Sequence, residues 1–435
     1  MSENQHYIVL KFGGTSQKYS TYEMILNRIH EITKQKIKII IVLSAISEIT
    51  NKLLEYVNTL CSETLTEIIN KNVILASECN VNINELITKF IFEENNFANI
   101  NNKISFVSKG EFFTCHILNR YLNNNNIKSK FVSSHDIIYS SLENDSFYNK
   151  GELSVESNII INELKNNDVI IIPGFSGRTP ENNCCLLGRG GSDTSGSIIA
   201  AAINAQCYEI WTDVNGIYSS DPKKILNTHI NHIINYDAAQ EIAAMGAKVL
   251  HPYCILPCAL KSIPIYIKNT FEPNSKSTII TKIESNHIYG VIIQDNVKVF
   301  KIKSLNIWNN YSFVYDIFSI FEKFNVDINI INSSRFNIMI TTDDHDNYKL
   351  LNIKSKLEEK YLVDIKTNNS IISVVGDNIR MIQNISDIFK LTKKFNIITT
   401  SYSSNDMTLS FVVDSSIAIN LAQQLHDIVF SLDYK

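Results

Sequence analysis

The sequence predicts an α/β protein, in which a mostly parallel sheet covered by helices is followed by two small α+β modules. Two observations lead to this fold class. Over roughly the first two-thirds of the chain, short β-branched runs alternate with amphipathic segments of helix length. Later, a strand–helix–strand–strand pattern occurs twice at a spacing of about 70 residues, which indicates a duplicated module.

Six apolar runs are predicted to form the strands of the first domain. They cover residues 7 to 13, 37 to 45, 127 to 133, 168 to 175, 207 to 213 and 263 to 269. Between them, apolar residues recur at three-to-four spacing, which predicts helices over segments such as 22 to 34, 111 to 122 and 236 to 248. We expect this first domain to occupy residues 1–285.

The C-terminal part contains the two copies of the α+β module. The first copy has a helix over residues 313 to 324, preceded by VKVFKIKS and followed by VDINIINSS and FNIMITTD. The second has a helix over residues 381 to 395, preceded by SIISVVGD and followed by NIITTSYSS and MTLSFVVD. We therefore predict modules over residues 290–365 and 366–435.

Composition excludes several classes of partner. The 435 residues carry 40 basic and 44 acidic side chains without a basic tract, so no nucleic-acid partner is expected. No run of about 18 apolar residues is present, and the N-terminus MSENQHYIVLKFGG lacks the pattern of a secretory signal. The eight scattered cysteines form no zinc or disulfide pattern, which favours a reducing, cytoplasmic location.

Two glycine-rich junctions are candidate anion sites. KFGGTS follows the first predicted strand, so Gly13 and Gly14 can bring backbone N–H groups to a phosphate while Lys11 supplies charge; an ordinary turn is the alternative. In LGRGGSD, Arg189 can bind a carboxylate through its planar fork, and Asp193 suits a metal ion or the orientation of Lys11. Helix N-capping is the alternative there.

Three further motifs are less specific. In WTDVNGIYSSDPKK, Tyr218 can lie beside a nucleobase and Lys223 can meet phosphate, although a plain surface loop fits equally well. SKGE ends in Glu111, which either closes a capping box or serves the site. In GAKVLHP, Lys248 is a phosphate candidate and His251 suits a helix boundary. Together these junctions favour phosphoryl transfer, which needs positioning and charge neutralisation.

The motifs KFGGTS, VLSAISEITN, SKGE, GFSG, LGRGGSD, WTDVNGIYSSDP and GAKVLHP resemble, in order and spacing, those of the aspartate kinases of the amino-acid kinase superfamily. The repeated modules resemble the paired ACT domains of that family, closest to its lysine-sensitive type. The resemblance implies an α/β/α sandwich followed by two ferredoxin-like ACT domains. It implies transfer of the γ-phosphoryl group of ATP, with Mg²⁺, to the side-chain carboxylate of L-aspartate, the first step toward lysine, threonine and methionine.

The resemblance also implies roles for individual residues. Catalysis is assigned to Lys11, which would stabilise the transferring group, and to Asp193, which would orient Lys11. The amino acid is assigned to Thr50, Glu111, Arg189, Gly190, Gly191 and Ser192. The nucleotide is assigned to Lys11, Phe12, Gly13, Gly14, Thr212, Asp213, Tyr218, Lys223, Lys248 and Val249. No residue is assigned as a metal ligand. A homodimer through the ACT domains, with lysine or threonine as effector, is expected.

The chain departs from the family pattern at several places. NNCCLL replaces a threonine-rich run before LGRGGSD, and TSGS follows Asp193. In the first module, Ser312 stands where glycine is usual and Asn329 where Asp is usual, which weakens the case for a cationic effector. The length leaves no room for a fused homoserine dehydrogenase. Two alternatives stay open: a kinase for another substrate (glutamate, acetylglutamate or uridylate), and a non-catalytic regulatory protein with a decayed kinase domain.

Overall fold

The computed structural model describes residues 6–93, 97, 99–247, 249–284, 286–304, 311–381 and 385–430. The chain divides into two compact units. The first unit contains Met1–Ile217, His232–Gln240 and Val249–Ile283. The second contains Tyr218–Asn231, Glu241–Lys248 and Glu284–Lys435. The domain boundaries predicted above stay predictions.

The first unit is built on a mostly parallel sheet. Its strands and those of a smaller sheet are β1 (Tyr7–Phe12), β2 (Lys38–Leu43), β3 (Ser129–Phe131), β4 (Ile138–Ser140), β5 (Leu153–Val155), β6 (Val169–Pro173), β7 (Ser176–Arg178), β8 (Cys184–Leu186), β9 (Cys207–Thr212), β10 (Ile233–Ile234), β11 (Ile265–Asn269) and β12 (Thr278–Ile280). The main sheet has the order β10-β12-β11-β9-β1-β2-β6-β3, and within it only the β11–β12 pair runs antiparallel. The six strands predicted from the sequence are confirmed in this sheet.

Helices cover the sheet. They are α1 (Tyr19–Thr33), α2 (Ile49–Thr59), α3 (Ser62–Glu78), α4 (Asn84–Glu93), α5 (Ile100–Val107), α6 (Lys109–Asn124), α7 (Ser134–Ile137), α8 (Ser157–Leu164), α9 (Gly191–Ala202), α10 (Tyr236–Ala244) and α11 (Leu256–Leu260). The central strands β1, β2 and β6 are buried almost throughout, as expected for parallel strands covered on both faces. Helix α10 ends at Ala244, earlier than the predicted residue 248, and Gly246 just after it adopts a φ of 102°.

The second unit contains one antiparallel sheet of six strands. Its strands are β13 (Ile288–Ser304), β14 (Ile331–Ser333), β15 (Asn337–Thr342), β16 (Tyr361–Gly376), β17 (Thr399–Tyr402) and β18 (Thr408–Asp414), in the order β14-β15-β13-β16-β18-β17. Its helices are α12 (Tyr311–Lys323), α13 (Asn347–Glu358), α14 (Ile385–Thr392) and α15 (Ser415–Phe430). The predicted α+β character is confirmed.

The two modules share their longest strands. The second half of β13 pairs with β15 and with the first half of β16, whereas the first half of β13 pairs with the second half of β16, which also pairs with β18. In the described residues each module therefore has four strands and two helices. One strand of the second module, the first half of β13, precedes the first module in the sequence. No helix in the described parts of the chain is long and apolar enough to cross a membrane.

Candidate functional site

The ends of three neighbouring strands bring the predicted motifs together. Strand β2 lies between β1 and β6, so their carboxyl ends share one edge of the sheet. Backbone hydrogen bonds continue past the strands, because Ser44 N–H donates to Phe12 O at 3.1 Å and Gly174 N–H donates to Leu43 O at 2.9 Å. KFGGTS, VLSAISEITN and GFSG therefore meet at this edge.

Gly14 lies directly against the segment that follows β2. A Cβ atom at Gly14 would lie 2.9 Å from Ala45 O and 3.2 Å from Ser47 N, so any other residue would push the two segments apart. Ser47 N–H also donates to Gly14 O at 3.1 Å. Close backbone approach, rather than a generic turn, therefore requires glycine here.

Lys11 and Asp193 form a largely buried ion pair. Lys11 Nζ lies 2.5 Å from Asp193 Oδ1, and their side chains are 9% and 15% exposed. Lys11 comes from the end of β1 and Asp193 from the first turn of α9. Burying two charges has a desolvation cost, which their close attraction offsets in part. The pair therefore places a cation at the sheet edge beside the glycine turn.

The start of α9 is shaped by LGRGGSD. Gly190 adopts the left-handed conformation (φ 67°), and a Cβ there would lie 2.2 Å from His251 Cβ. Ser192 lies against Gly174, which follows β6. Arg189 is exposed and thus has its guanidinium available to a ligand. The helix beginning at Gly191 carries Asp193 on its first turn, rather than serving only as a capped helix start.

Glu111 is a buried carboxyl group with one unpartnered oxygen. Its Oε1 accepts hydrogen bonds from Ala45 N–H at 3.3 Å and Thr50 Oγ1 at 3.4 Å, and its Oε2 is buried without a partner. Burial raises the pKa of Glu111 to about 8, despite these hydrogen bonds, which lower it. Because Ala45 also touches Gly14, Glu111 adjoins the glycine turn through one shared residue.

The capping-box interpretation of SKGE is wrong. Ser108 Oγ donates to Ser105 O at 2.7 Å, and its side chain makes no capping hydrogen bond to α6. The Glu111 carboxylate points instead toward Ala45 and Thr50.

Two bulky residues beside the site adopt strained backbone conformations. Phe175 has φ 68° in the GFSG turn, and Glu48 has φ 70° just before α2, which carries Thr50. The left-handed region is unfavourable for side chains of this size. Phe175 is held there by hydrogen bonds from its N–H to Ser195 Oγ at 3.1 Å and to its carbonyl from Leu187 N–H at 2.9 Å. Such strain is typical of functional turns.

The residues predicted to hold the nucleotide are distributed over several places. Phe12 is fully buried, so only its backbone can face a ligand, whereas Thr212 and Asp213 are partly or fully exposed at the end of β9. The Thr212 hydroxyl donates to Asp213 Oδ1 at 3.2 Å. Val249 is half-buried in the first unit.

Two other predicted nucleotide residues belong to the second unit. Tyr218 is half-buried and forms a backbone bridge with Ile230, and Lys223 is exposed, with its N–H bound to Asp221 Oδ1 at 2.9 Å. Lys248 lies outside the described residues.

Sequence reasoning missed a residue near Arg189. Tyr148 approaches Gly188 closely: a Cβ atom there would lie 3.8 Å from Tyr148 Cγ. The positive charge of Arg189 also lowers the Tyr148 pKa, although burial raises it more strongly. Its loop is tied to β8 through Asn149 N–H, which donates to Leu186 O at 2.8 Å. In the sequence, Tyr148 stands out only as an aromatic residue in a polar loop far from Arg189, and nothing else there indicates a place at the site.

The unusual cysteines of NNCCLL do not form a disulfide; all eight cysteines of the chain are free. Cys184 lies near Ser108 and Glu111, and burial raises the pKa of its thiol. A thiol kept protonated in this way is a poor nucleophile. Cys184 therefore adds no reactive group beside the site.

Metal-ligating side chains are not clustered. Among the residues that the structure describes, no group of three or more His, Cys, Asp or Glu side chains could hold a metal ion by itself. The site is therefore made of an ion pair, a buried carboxyl group, an exposed arginine and close backbone turns.

Comparison with known proteins identifies the family. The model of the amino acid kinase family matches residues 6–269. The chain belongs to the amino acid kinase family. This amino acid kinase is 31% identical to a bifunctional aspartokinase/homoserine dehydrogenase of Buchnera aphidicola, over 97% of the chain and 56% of the relative. It is 27% identical to the lysine-sensitive aspartokinase 3 of Escherichia coli, over 61% of each protein. The chain thus spans less than two-thirds of both relatives.

Solved structures share the fold of this amino acid kinase. Aspartokinase III of E. coli in complex with aspartate and ADP superposes with a TM-score of 0.82 at 22% identity, covering 98% of this chain and all of that one. The aspartate kinase of Clostridium acetobutylicum gives a TM-score of 0.74 at 24% identity, covering 97% of this chain and all of that one. The predicted fold class and the resemblance to aspartokinases are confirmed.

Proposed function

We propose that this protein is an ATP-dependent aspartate kinase that forms 4-phospho-L-aspartate. The observation that carries the proposal is the buried Glu111 carboxyl group, whose Oε2 lacks a partner and which is linked to the glycine turn through Ala45. A buried unpaired oxygen is costly, and the ammonium group of an amino-acid substrate would satisfy it. The aspartokinase relatives, one of them solved with aspartate and ADP, support this assignment.

The proposed mechanism rests on charge and position. Arg189 binds the α-carboxylate and Glu111 the ammonium group, which directs the side-chain carboxylate toward the ATP. A carboxylate oxygen attacks the γ-phosphorus, the bond to the bridging oxygen breaks, and ADP leaves with the electron pair. Lys11 stabilises the charge on the transferring group, and Asp193 holds Lys11 in place. The nucleophile is already ionised near neutral pH, so the step needs no protein base.

ATP would be held by the backbone turn Gly13 to Gly14 and by Thr212, Asp213 and Val249. Tyr218, Lys223 and Lys248 stay predicted contributors from the resemblance. The proposed Mg²⁺ enters with the nucleotide, because magnesium in such sites usually takes most of its ligands from phosphates and water, with one or two carboxylates. That mode of binding suits a described site without a carboxylate cluster.

The paired C-terminal modules are proposed to form a homodimer and to bind an amino-acid effector. An E. coli aspartokinase III structure contains lysine, in a T-state, which supports an effector of this class. In this chain, Asn329 Nδ2 is buried without a partner, and Ser312 is exposed on α12. A neutral amide cannot neutralise a cationic effector, so threonine stays a candidate beside lysine. A cytoplasmic location completes the proposal.

Trapping with hydroxylamine tests the activity. An acyl phosphate reacts with hydroxylamine to give a hydroxamate, so ATP and L-aspartate should give a coloured product that L-glutamate does not. Lys11→Ala should lower the rate by at least about a hundredfold, because a preorganised charge at the transferring group is lost. Signal with glutamate alone would reassign the substrate, and no signal with any amino acid would favour the non-catalytic alternative.

A further inference from the structure

We propose that Glu209 is a positioning residue for the glycine turn at Gly13, acting through the indole of Trp211. This inference rests on the proposed function in one respect, namely that the turn holds the nucleotide. Glu209 and Trp211 are not among the predicted site residues; both lie within β9. The argument starts at the turn and proceeds to the carboxylate.

Trp211 contacts the turn at two points. Its carbonyl accepts the Gly13 N–H at 3.2 Å, past the last paired residues of β1 and β9. Its indole stacks on the Phe12 ring, with centroids 5.8 Å apart and planes inclined by 18°. Both rings are almost fully buried. The indole therefore packs directly against Phe12, the residue that precedes the glycine turn.

Glu209 fixes that indole. Trp211 Nε1–H donates to Glu209 Oε2 at 2.9 Å, and a buried indole N–H needs such an acceptor. Glu209 Oε1 accepts hydrogen bonds from Arg28 Nη2 at 2.7 Å and from Lys268 Nζ at 2.9 Å. Lys268 Nζ also lies 5.2 Å from the centroid of the Trp211 ring.

The burial of the Glu209 carboxylate has a desolvation cost that a purely structural contact does not require. The Glu209 side chain is 3% exposed, and two cations, Arg28 and Lys268, contact it there. An apolar residue of similar volume would fill this space at lower cost in desolvation. It would, however, leave the indole N–H without an acceptor and free to tilt. The carboxylate therefore has a use in orientation beyond stability.

Two substitutions separate positioning from stability. Glu209→Gln keeps an oxygen for the indole N–H but removes the charge that Arg28 and Lys268 need. Glu209→Leu removes both. Both variants should be less stable than the wild type. Only Glu209→Leu should weaken MgATP binding, by about tenfold in Kd measured by calorimetry, because small displacements of binding groups have effects of this size or larger.

A spectroscopic signature and a matched control complete the test. The chain has two tryptophans, so in a Trp308→Phe background the emission reports Trp211 alone; it should shift in Glu209→Leu and stay unchanged in Glu209→Gln. Ile39 is fully buried in β2, the strand next to β1, and Ile39→Ala should lower stability without changing the Kd for MgATP. A Kd that follows stability across all three variants would overturn the inference.

The outcomes also separate this inference from the proposed function. If the wild type binds MgATP but forms no aspartyl hydroxamate, the substrate assignment fails, and the Glu209 comparison still decides the inference. If the wild type does not bind MgATP, the turn is not a nucleotide site and both are overturned. An unchanged Kd in Glu209→Leu refutes the positioning role alone.

Discussion

At the scale of single residues, the chemistry of the site depends on Glu111. Its sequence context, SKGE, fits a helix cap as well as a binding site, and only the fold distinguishes them. The hydrogen-bond donors are the Ala45 backbone and the Thr50 hydroxyl, some sixty residues earlier in the chain. Burial at this point keeps the carboxyl group protonated at neutral pH until a cation arrives.

This protonation predicts how aspartate binding depends on pH. The ammonium group pairs with the ionised form of Glu111, so substrate binding must release its proton below a pH of about 8. The KM for aspartate should therefore fall by about tenfold for each pH unit between pH 6 and 8 and then level off. Steady-state kinetics at fixed MgATP measures this profile. Glu111→Gln should bind aspartate weakly with a flat profile; a flat profile in the wild type would contradict the assignment.

The same group predicts a pH dependence of stability. The folded-state pKa of Glu111 is raised from 4.5 to about 8, so the folded state holds a proton that the unfolded state has lost. The free energy of unfolding should fall across that range, at about 1.4 kcal/mol per pH unit from this group. Urea denaturation should show Glu111→Gln gaining stability relative to the wild type as pH rises. A constant difference from pH 5 to 8 would exclude the raised pKa.

At the scale of elements, helix α9 shows why a glycine stands inside a helix. The sequence places Gly196 in a helix of small residues, where glycine is less favourable than alanine by roughly 0.8 to 1 kcal/mol. In the structure a Cβ there would lie 2.4 Å from the Tyr208 hydroxyl oxygen and 2.6 Å from ring carbons. Tyr208 in turn donates a hydrogen bond to Asp193 O at 2.9 Å, which holds the turn that carries Asp193.

Gly196→Ala should therefore destabilise the protein, although it improves helix propensity. Overpacking of this kind costs about 1–3 kcal/mol, which exceeds the gain in propensity. Denaturant unfolding of the single variant, of Tyr208→Leu and of the double variant forms a thermodynamic cycle. Because leucine removes the ring carbons, the two substitutions should couple favourably. A stabilising Gly196→Ala would show that α9 can move away from β9 at no cost.

The strands show where sequence patterns are sufficient to predict secondary structure and where they are not. The buried strands of the first unit are continuous apolar runs and were predicted within about two residues. Strand β13 was predicted to begin only at residue 297, because Asp295 and Asn296 interrupt its pattern. In the structure β13 continues past these two residues through a β-bulge. Asn296 there has φ 60°, and the register with β16 shifts. The three-residue strands β4, β5, β7 and β8 are too short for periodicity to reveal.

A shorter strand than predicted appears within VDINIINSS. Only Ile331–Ser333 form β14. Just before it, Asn329 N–H donates to Thr341 O at 2.8 Å and Ile330 N–H donates to the Thr341 side-chain hydroxyl at 2.9 Å, so two residues face Thr341 and the regular ladder is interrupted. A side-chain acceptor here competes with the regular ladder. Such competition depends on a residue from the neighbouring strand and cannot be inferred from the segment itself.

At the scale of the whole molecule, the order of the motifs along the chain was the most informative feature for predicting the fold and the site. The sequence correctly predicted a mostly parallel α/β unit and a duplicated α+β unit, and it named both members of the Lys11–Asp193 pair. It did not predict that the two modules exchange strands, because that requires knowledge of pairing between β13 and β16. Nor could it show Tyr148 beside Arg189 or the network around Glu209, which arise from packing alone.

The duplicated modules lead to a prediction about regulation. Asn329 offers a buried amide and not a carboxylate to a bound effector, so lysine should inhibit weakly or not at all up to millimolar concentrations. Titration of lysine and of threonine into the hydroxamate assay measures both responses. Asn329→Asp should increase sensitivity to lysine, because it restores a partner for the cation. Strong inhibition of the unchanged protein by lysine would contradict this view of the module.

The position of the transferred phosphoryl group tests the central claim most directly. With L-aspartate labelled with ¹³C in the side-chain carboxyl carbon, ATP and Mg²⁺, NMR should show a new carboxyl-carbon signal that is split by coupling to phosphorus. Lys11→Ala should produce it at least about a hundredfold more slowly. A split signal that appears only when the α-carboxyl carbon carries the ¹³C label instead, or release of inorganic phosphate without any coupled carbon signal, would contradict an enzyme that phosphorylates the side chain of aspartate.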